Sequence, residues 1–298
     1  MESLGLLNID ARYATVLLVD LAIAAILVTS IKFVSGLISS INATDELSEK
    51  DNPAFGVSLA GAAFSVTIIM TGVMAGEASE SLISEGLLVA GYGVLGIILM
   101  ALTRFVFDRV SMPGFSVKQE VLKGNVAAGL LDAGNVVATA IIVRAVMIWA
   151  DPATLSGVAL VLAGYGLSQI ILSVASFYRL RLFKSHHNYS MQEAIVAGNT
   201  AAAWRFSGYR IGVALAITAA SSLIPYMPEV MGQLAGLWLV VSLAMMVFVS
   251  VLAIVADKII LSGIDTRTEV DEQGNVAVAV IQFVVVVSMG IIIAVLTS

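Results

Sequence analysis

Eight long apolar stretches alternate along the chain with short polar connections. Hydrophobic positions run nearly unbroken near residues 12–40, 53–75, 83–108, 125–149, 154–182, 199–223, 230–260 and 275–297. Each stretch has at least the roughly 20 residues a helix needs to cross a hydrocarbon core of about 30 Å. The pattern therefore predicts an all-α integral membrane protein with eight transmembrane helices. The longest connections, 109–124 and 183–198, are too short to hold a soluble catalytic domain.

A repeat underlies the alternation. Asp51-Asn52-Pro53-Ala54, Gly124-Asn125-Val126-Ala127, Gly198-Asn199-Thr200-Ala201 and Gly274-Asn275-Val276-Ala277 are separated, Asn to Asn, by 73, 74 and 76 residues. Nine positions after the Asn come Gly61, Gly134 and Gly208, with Val284 as the exception. Gly91-Tyr92-Gly93 and Gly164-Tyr165-Gly166 recur upstream of Asn125 and Asn199. Each unit reads as a helix, a polar loop and a returning helix that opens with Asn. Two such hairpins form each half, residues 1–149 and 150–298.

Since every unit crosses twice, successive copies enter the membrane in the same sense, as a parallel repeat, and all four Asn loops share one side. Those loops and their helix ends carry Lys50, Arg104, Arg109, Lys123, Arg179 and Lys184, whereas the connections 76–82, 150–153 and 224–229 carry no Lys or Arg. The positive-inside rule puts the Asn loops in the cytoplasm and both termini outside.

Asn52-Pro53 is a helix start in miniature, because Asn is a preferred N-cap and Pro is tolerated at the first helical position. By repeat equivalence, Asn125, Asn199 and Asn275 are also caps. Ser116-x-x-Gln119 and Ser190-x-x-Glu193 fit capping boxes of short amphipathic helices that Gly124 and Gly198 end. A second reading gathers the four helix N-termini around one axis, where their dipoles attract an anion. Glu120, Glu193 and Glu272, just upstream of their asparagines, are either solvated or line a cation entrance. Small residues at Gly129, Gly134, Ala203, Gly208 and Gly212 point to close helix packing.

Four charged residues fall at membrane depth, where an ionised side chain is costly: Asp20, Asp132, Arg205 and Arg210. Asp132 lies about 10 Å beyond Asn125 and Arg205 about 9 Å beyond Asn199 at the helical rise, so an ion pair between them is expected. Arg210 falls near mid-bilayer, with Asp20 as its candidate partner. Asn135, Gln169, Gln233 and Gln282 extend a hydrophilic interior. Arg144 is expected to snorkel to the far interface beside Trp149, and His186 and His187 to be solvated loop residues.

Composition sharpens this picture. Hydrophobic residues make up 59% of 298 and charged ones 12%, with a mean hydropathy of +1.00, against about 25% charged in soluble domains. The net charge of -6 argues against a nucleic-acid partner. Without cysteine there is no disulfide or thiolate chemistry, and no metal or other cofactor is expected. Met1-Glu2-Ser3 lacks the basic start of a cleaved signal peptide.

The Asn-Val/Thr-Ala-Ala motifs at Asn125 to Ala128 and Asn199 to Ala202 resemble the YjfL-like family of bacterial inner-membrane proteins, with departures at Pro53, Phe55 and Val278. The usual family member has four spans and two motifs, so this chain resembles a tandem duplication. The resemblance implies a bacterial cytoplasmic membrane, an unknown activity with no catalytic residue to transfer, and membrane-stress proteins as partners. Two functions stay open: a channel or transporter-like pathway for an ion or small solute between the repeats, and a non-transporting scaffold that binds lipid or protein through its cytoplasmic face, alone or as a homo-oligomer. No nucleophile with its base stands out, so an enzyme is not expected.

Overall fold

A computed structural model describes residues 11–39, 41–76, 79, 81–150, 154–227 and 230–298. Among them, eight helices have 21 residues or more: α1 (Ala11–Ser39), α3 (Pro53–Val73), α4 (Leu82–Val106), α6 (Val126–Trp149), α7 (Leu155–His186), α9 (Thr200–Leu223), α10 (Met231–Ile260) and α11 (Val276–Leu296). Three short helices, α2 (Ala43–Ser48), α5 (Val117–Leu122) and α8 (Met191–Val196), precede the first three repeated asparagines, and a π-helical turn, Thr268–Glu272, precedes the fourth. A second π-helical turn, Phe107–Ser111, continues α4.

Seven of the long helices are long and apolar enough to cross a membrane, which marks the chain as a membrane protein. The remaining one, α9, matches them in length but carries Arg205 and Arg210 among many small residues. Its surroundings explain the difference. Nearly all of α9 from Ala201 to Ser221 is buried between other helices, so its sequence answers to protein neighbours rather than to lipid. By contrast, α1, α10 and α11 leave most of their apolar surface exposed.

The four Asn-opened helices, α3, α6, α9 and α11, form a row in which α3 packs on α6, α6 on α9 and α9 on α11. Helices α1, α4, α7 and α10 flank it. The two ends of the row, α3 and α11, do not pack together, so the row is open. This corrects the expectation of four N-termini around one axis.

The repeated glycine sets the spacing. A Cβ at Gly61 would lie 2.5 Å from Cα of Ala133, one at Gly134 would overlap Ser207, and one at Gly208 would lie 2.8 Å from Cα of Phe283. Ala133, Ser207 and Phe283 each lie eight residues after their own Asn, so every junction joins the ninth position of one helix to the eighth of the next. The same logic accounts for Val284. No further helix packs there, the side chain is 52% exposed, and a glycine has no close approach to permit.

Candidate functional site

Each repeated Asn does two jobs with one side chain. Its Oδ1 accepts hydrogen bonds from the first turn of its own helix: from Phe55 N to Asn52, from Ala127 and Ala128 N to Asn125, from Ala202 N to Asn199, and from Ala277 and Val278 N to Asn275. Its Nδ2 donates to the backbone of the next unit: Asn52 to Val121 O at 3.0 Å, Asn125 to Ile195 O at 2.7 Å, and Asn199 to Val270 O at 3.2 Å and Asp271 O at 3.1 Å. Asn275 donates instead to Glu269 at 2.8 Å. The residue before each Asn takes positive φ, glycine in three copies and Asp51 in the first, which turns the chain from the short helix into the long one.

Of the glutamates upstream, Glu46 and Glu120 serve this turn. Glu46 accepts from Lys50 at 2.6 Å and Asn52 at 2.9 Å, and Glu120 from Lys123 at 2.6 Å and Asn125 at 3.2 Å. The Lys50 and Lys123 ammoniums are the main reason both carboxyls are held below the usual glutamate range. Glu193 completes the capping box with Ser190, and Glu272 lies exposed beside His187. Ser116 caps α5 by accepting from Gln119 N.

The membrane-depth charges pair differently from expectation. Asp132 on α6 binds Arg104 on α4, with contacts of 2.9 Å to Nε and 2.7 Å to Nη2, and accepts from Ser58 of α3. Arg205 pairs with Asp271 of the π-helical turn. The two side chains lie at similar distances from their caps but face different ways. Asp132 is seven residues after its cap and Arg205 six, and one residue rotates a helical side chain by about 100°, so the two point to different neighbours. Asp20 and Arg210 are also apart: α1 packs on α3 and α4, whereas Arg210 on α9 bonds to residues of α6 and α7.

Arg210 is 1% exposed and, among the described residues, has no carboxylate partner. It donates to Asn135 Oδ1 at 2.6 Å, Ser176 Oγ at 2.6 Å and Leu172 O at 3.3 Å, and its guanidinium carbon is 4.9 Å from the Phe107 ring centre. Phe107 packs edge to face on Phe206, with ring centres 6.4 Å apart. This aromatic and polar plug fills the junction between the two halves. Asp20 is buried, with one carboxylate oxygen lacking a hydrogen-bond partner. Gln169 reaches Thr139 at 3.3 Å, Gln282 reaches Asp257 at 2.9 Å, and Gln233 is exposed rather than interior. Arg144 donates to Thr71 on α3 at 2.9 Å.

A cavity lies in each half. The first, about 670 Å³, lies between α3, α4, α5 and α6, with Arg104, Asp132, Ser58, Asp108 and Arg109 in its wall. The second, about 760 Å³, lies between α7, α9, α10, α11 and the loop after α10, with Arg179, Arg205, Tyr209, Asp257, Lys258 and Asp271 in its wall. Both are on the Asn side. The deepest wall residue counted from a cap, Val286, is 11 residues past Asn275, or about 16 Å at the helical rise. Beyond the cavities the row is closed by buried aliphatic residues such as Val136, Ile142, Val143, Val213 and Ile217.

The second cavity also overturns the solvated-histidine expectation for His187. Its side chain is buried, 4.5 Å from the Phe183 ring and 5.4 Å from the Tyr189 ring, with Nε2 3.2 Å from Asp271 Oδ2. The aromatic spacing Phe183, His187, Tyr189 was the signal available in the sequence. His186 is exposed, as expected. Among the described residues no cluster of His, Asp or Glu could hold a metal ion.

These features define a helical membrane protein built from stapled, Asn-capped hairpins, with one cavity per pair. The chain belongs to the DUF350 family, a domain of unknown function, whose model matches residues 6–147 and again 153–297. No curated protein and no solved structure matches it.

Proposed function

We propose that the chain is a non-conducting membrane scaffold that takes a ligand or partner at its Asn-loop face, through one cavity in each half. The observation that carries this reading is the limited depth of both cavities. Counted from the caps, the first reaches about 10 Å and the second about 16 Å into a core of about 30 Å, and tightly packed aliphatic residues lie beyond them. An open row also has no common axis along which an ion could travel.

The chain crosses the bilayer eight times, α9 included, as four hairpins threaded in one direction. The matched glycine junctions and the relay of Asn bonds support that threading, since both join positions at the same distance from their caps. The basic residues near the Asn loops put this face in the cytoplasm and both termini outside. The resemblance to the YjfL-like family supports a bacterial cytoplasmic membrane as its location. The activity is binding rather than catalysis, with lipid, a membrane-stress protein or a second copy as the partner.

Flux through proteoliposomes tests the reading. Under potassium, proton or chloride gradients, reconstituted protein gives no flux above protein-free vesicles. Sustained flux that disappears in Arg210→Ala would restore a transport pathway and overturn the scaffold.

A further inference from the structure

Both cavities hold one arginine clamped to an aspartate and one resting on an aromatic ring. In the first, the central guanidinium of Arg104 is clamped to Asp132, and Arg109 stacks at 5.8 Å on the Phe105 ring. In the second, Asp271 is held by Arg205 and His187, Asp265 by Thr268 and its own loop backbone, and Asp257 by Gln282 through one oxygen, the other being buried without a hydrogen-bond partner. Among the described residues, Arg179, Lys258 and Arg267 have no carboxylate at ion-pair distance. Arg179 rests 4.9 Å over the Tyr209 ring, and Nε of Arg205 is buried without a hydrogen-bond partner. Two guanidiniums thus share one cavity wall with cationic capacity left over.

Building on the scaffold reading, we propose that this second cavity binds a phosphate group through Arg179 and Arg205, with Lys258 and Arg267 nearby. Guanidinium groups present forked donors that match phosphate oxygens, and basic pockets between membrane helices on the cytoplasmic side suit anionic headgroups. The remaining walls fit a lipid-borne phosphate. Leu182, Ile254, Leu261 and Ile264 are apolar, and Ile254 and Leu182 lie on flanking helices whose outer faces are exposed.

The test uses the full chain in a neutral detergent. Native mass spectrometry counts bound dioleoyl phosphatidylglycerol against dioleoyl phosphatidylcholine, with inorganic phosphate as a separate ligand and competitor. Arg179→Gln should fold, since it orphans no carboxylate, and its melting curve checks this. Hydrogen bonds to charged groups are worth about 1.5–3 kcal/mol, or tenfold or more in affinity. The wild type should therefore prefer the anionic lipid, Arg179→Gln should lose that preference by about tenfold or more, and Arg179→Lys and Arg144→Gln should keep part and all of it, respectively. If phosphate alone binds, with the same dependence on Arg179, the site is a phosphate site with a soluble source. Equal binding by wild type and Arg179→Gln, for both probes, would overturn the proposal. The scaffold reading would then still stand or fall on flux.

Discussion

Asp132 of α6 is held by Arg104 of α4 at 2.7 Å, and Ser58 of the preceding repeat donates to the same carboxylate. Three helices from two hairpins thus converge on one buried acid at the floor of the first cavity. Removing one partner of a buried pair leaves an uncompensated charge, which costs about 3–5 kcal/mol. Arg104 is a quarter exposed at its side chain, so the lower end applies.

The first prediction follows from that geometry. Arg104→Ala lowers unfolding stability in detergent by about 3 kcal/mol, and the exchange Arg104→Asp with Asp132→Arg recovers most of it. Exchanging Asp132 with Arg205 recovers nothing, because each then loses its own partner. Rescue by the second exchange and not the first would refute the pairing.

The glycine junctions give a contrast within one register position. Gly134→Val drives a side chain into Ser207 and costs about 1–3 kcal/mol by overpacking. Val284→Ala, at the equivalent position of the last repeat, changes stability by no more than about 0.5 kcal/mol. Thermal unfolding followed by circular dichroism measures both, and equal costs would mean that the row continues past α11.

The asparagines are ranked by the same argument. Asn275→Ala removes a cap worth about 1 kcal/mol and the bond to Glu269, the counterpart of the Asn125 bond to Glu120. Asn125→Ala removes a cap and also the bond to Ile195 O, which adds about 1 kcal/mol. Denaturant unfolding of the two variants side by side should show the difference, and a larger loss at Asn275 would contradict the relay.

Acid should loosen the short helices before the long ones. Glu46 and Glu120 have carboxyls held low by Lys50 and Lys123, so their stabilisation is present above the unfolded glutamate value of about 4.3. It is lost as the pH falls through the lower folded values. Melting temperature should fall below about pH 4.3 in the wild type and less steeply in Glu46→Gln with Glu120→Gln. An identical profile in the double variant would remove these two groups from the acid response.

Much of this architecture was legible because the repeat writes its own boundaries. Asn-Pro at 52 and 53 announces a cap, and the glycine before Asn125 and Asn199 announces the turn into it. The ends of α3, α6, α9 and α11 therefore fell where hydropathy and caps agreed. What stayed hidden was azimuth. Asp132 and Arg205 share a depth, but nothing in a single sequence tells which neighbour each faces, and Arg104 lay too near a helix end to stand out as a membrane charge. His187 was hidden for a related reason: a loop position reads as solvated unless the aromatic residues around it are known to fold over it.

The account rests on four hairpins standing in one direction, and the absence of cysteine makes this directly measurable. Lys50, Lys123, Ala197 and Gln273 each lie two residues before a repeated Asn and are exposed. Replaced singly by cysteine, all four should react with a membrane-impermeant thiol reagent in inside-out vesicles and none in intact cells. A site that labels in intact cells while the others do not would break the common direction, and with it the row.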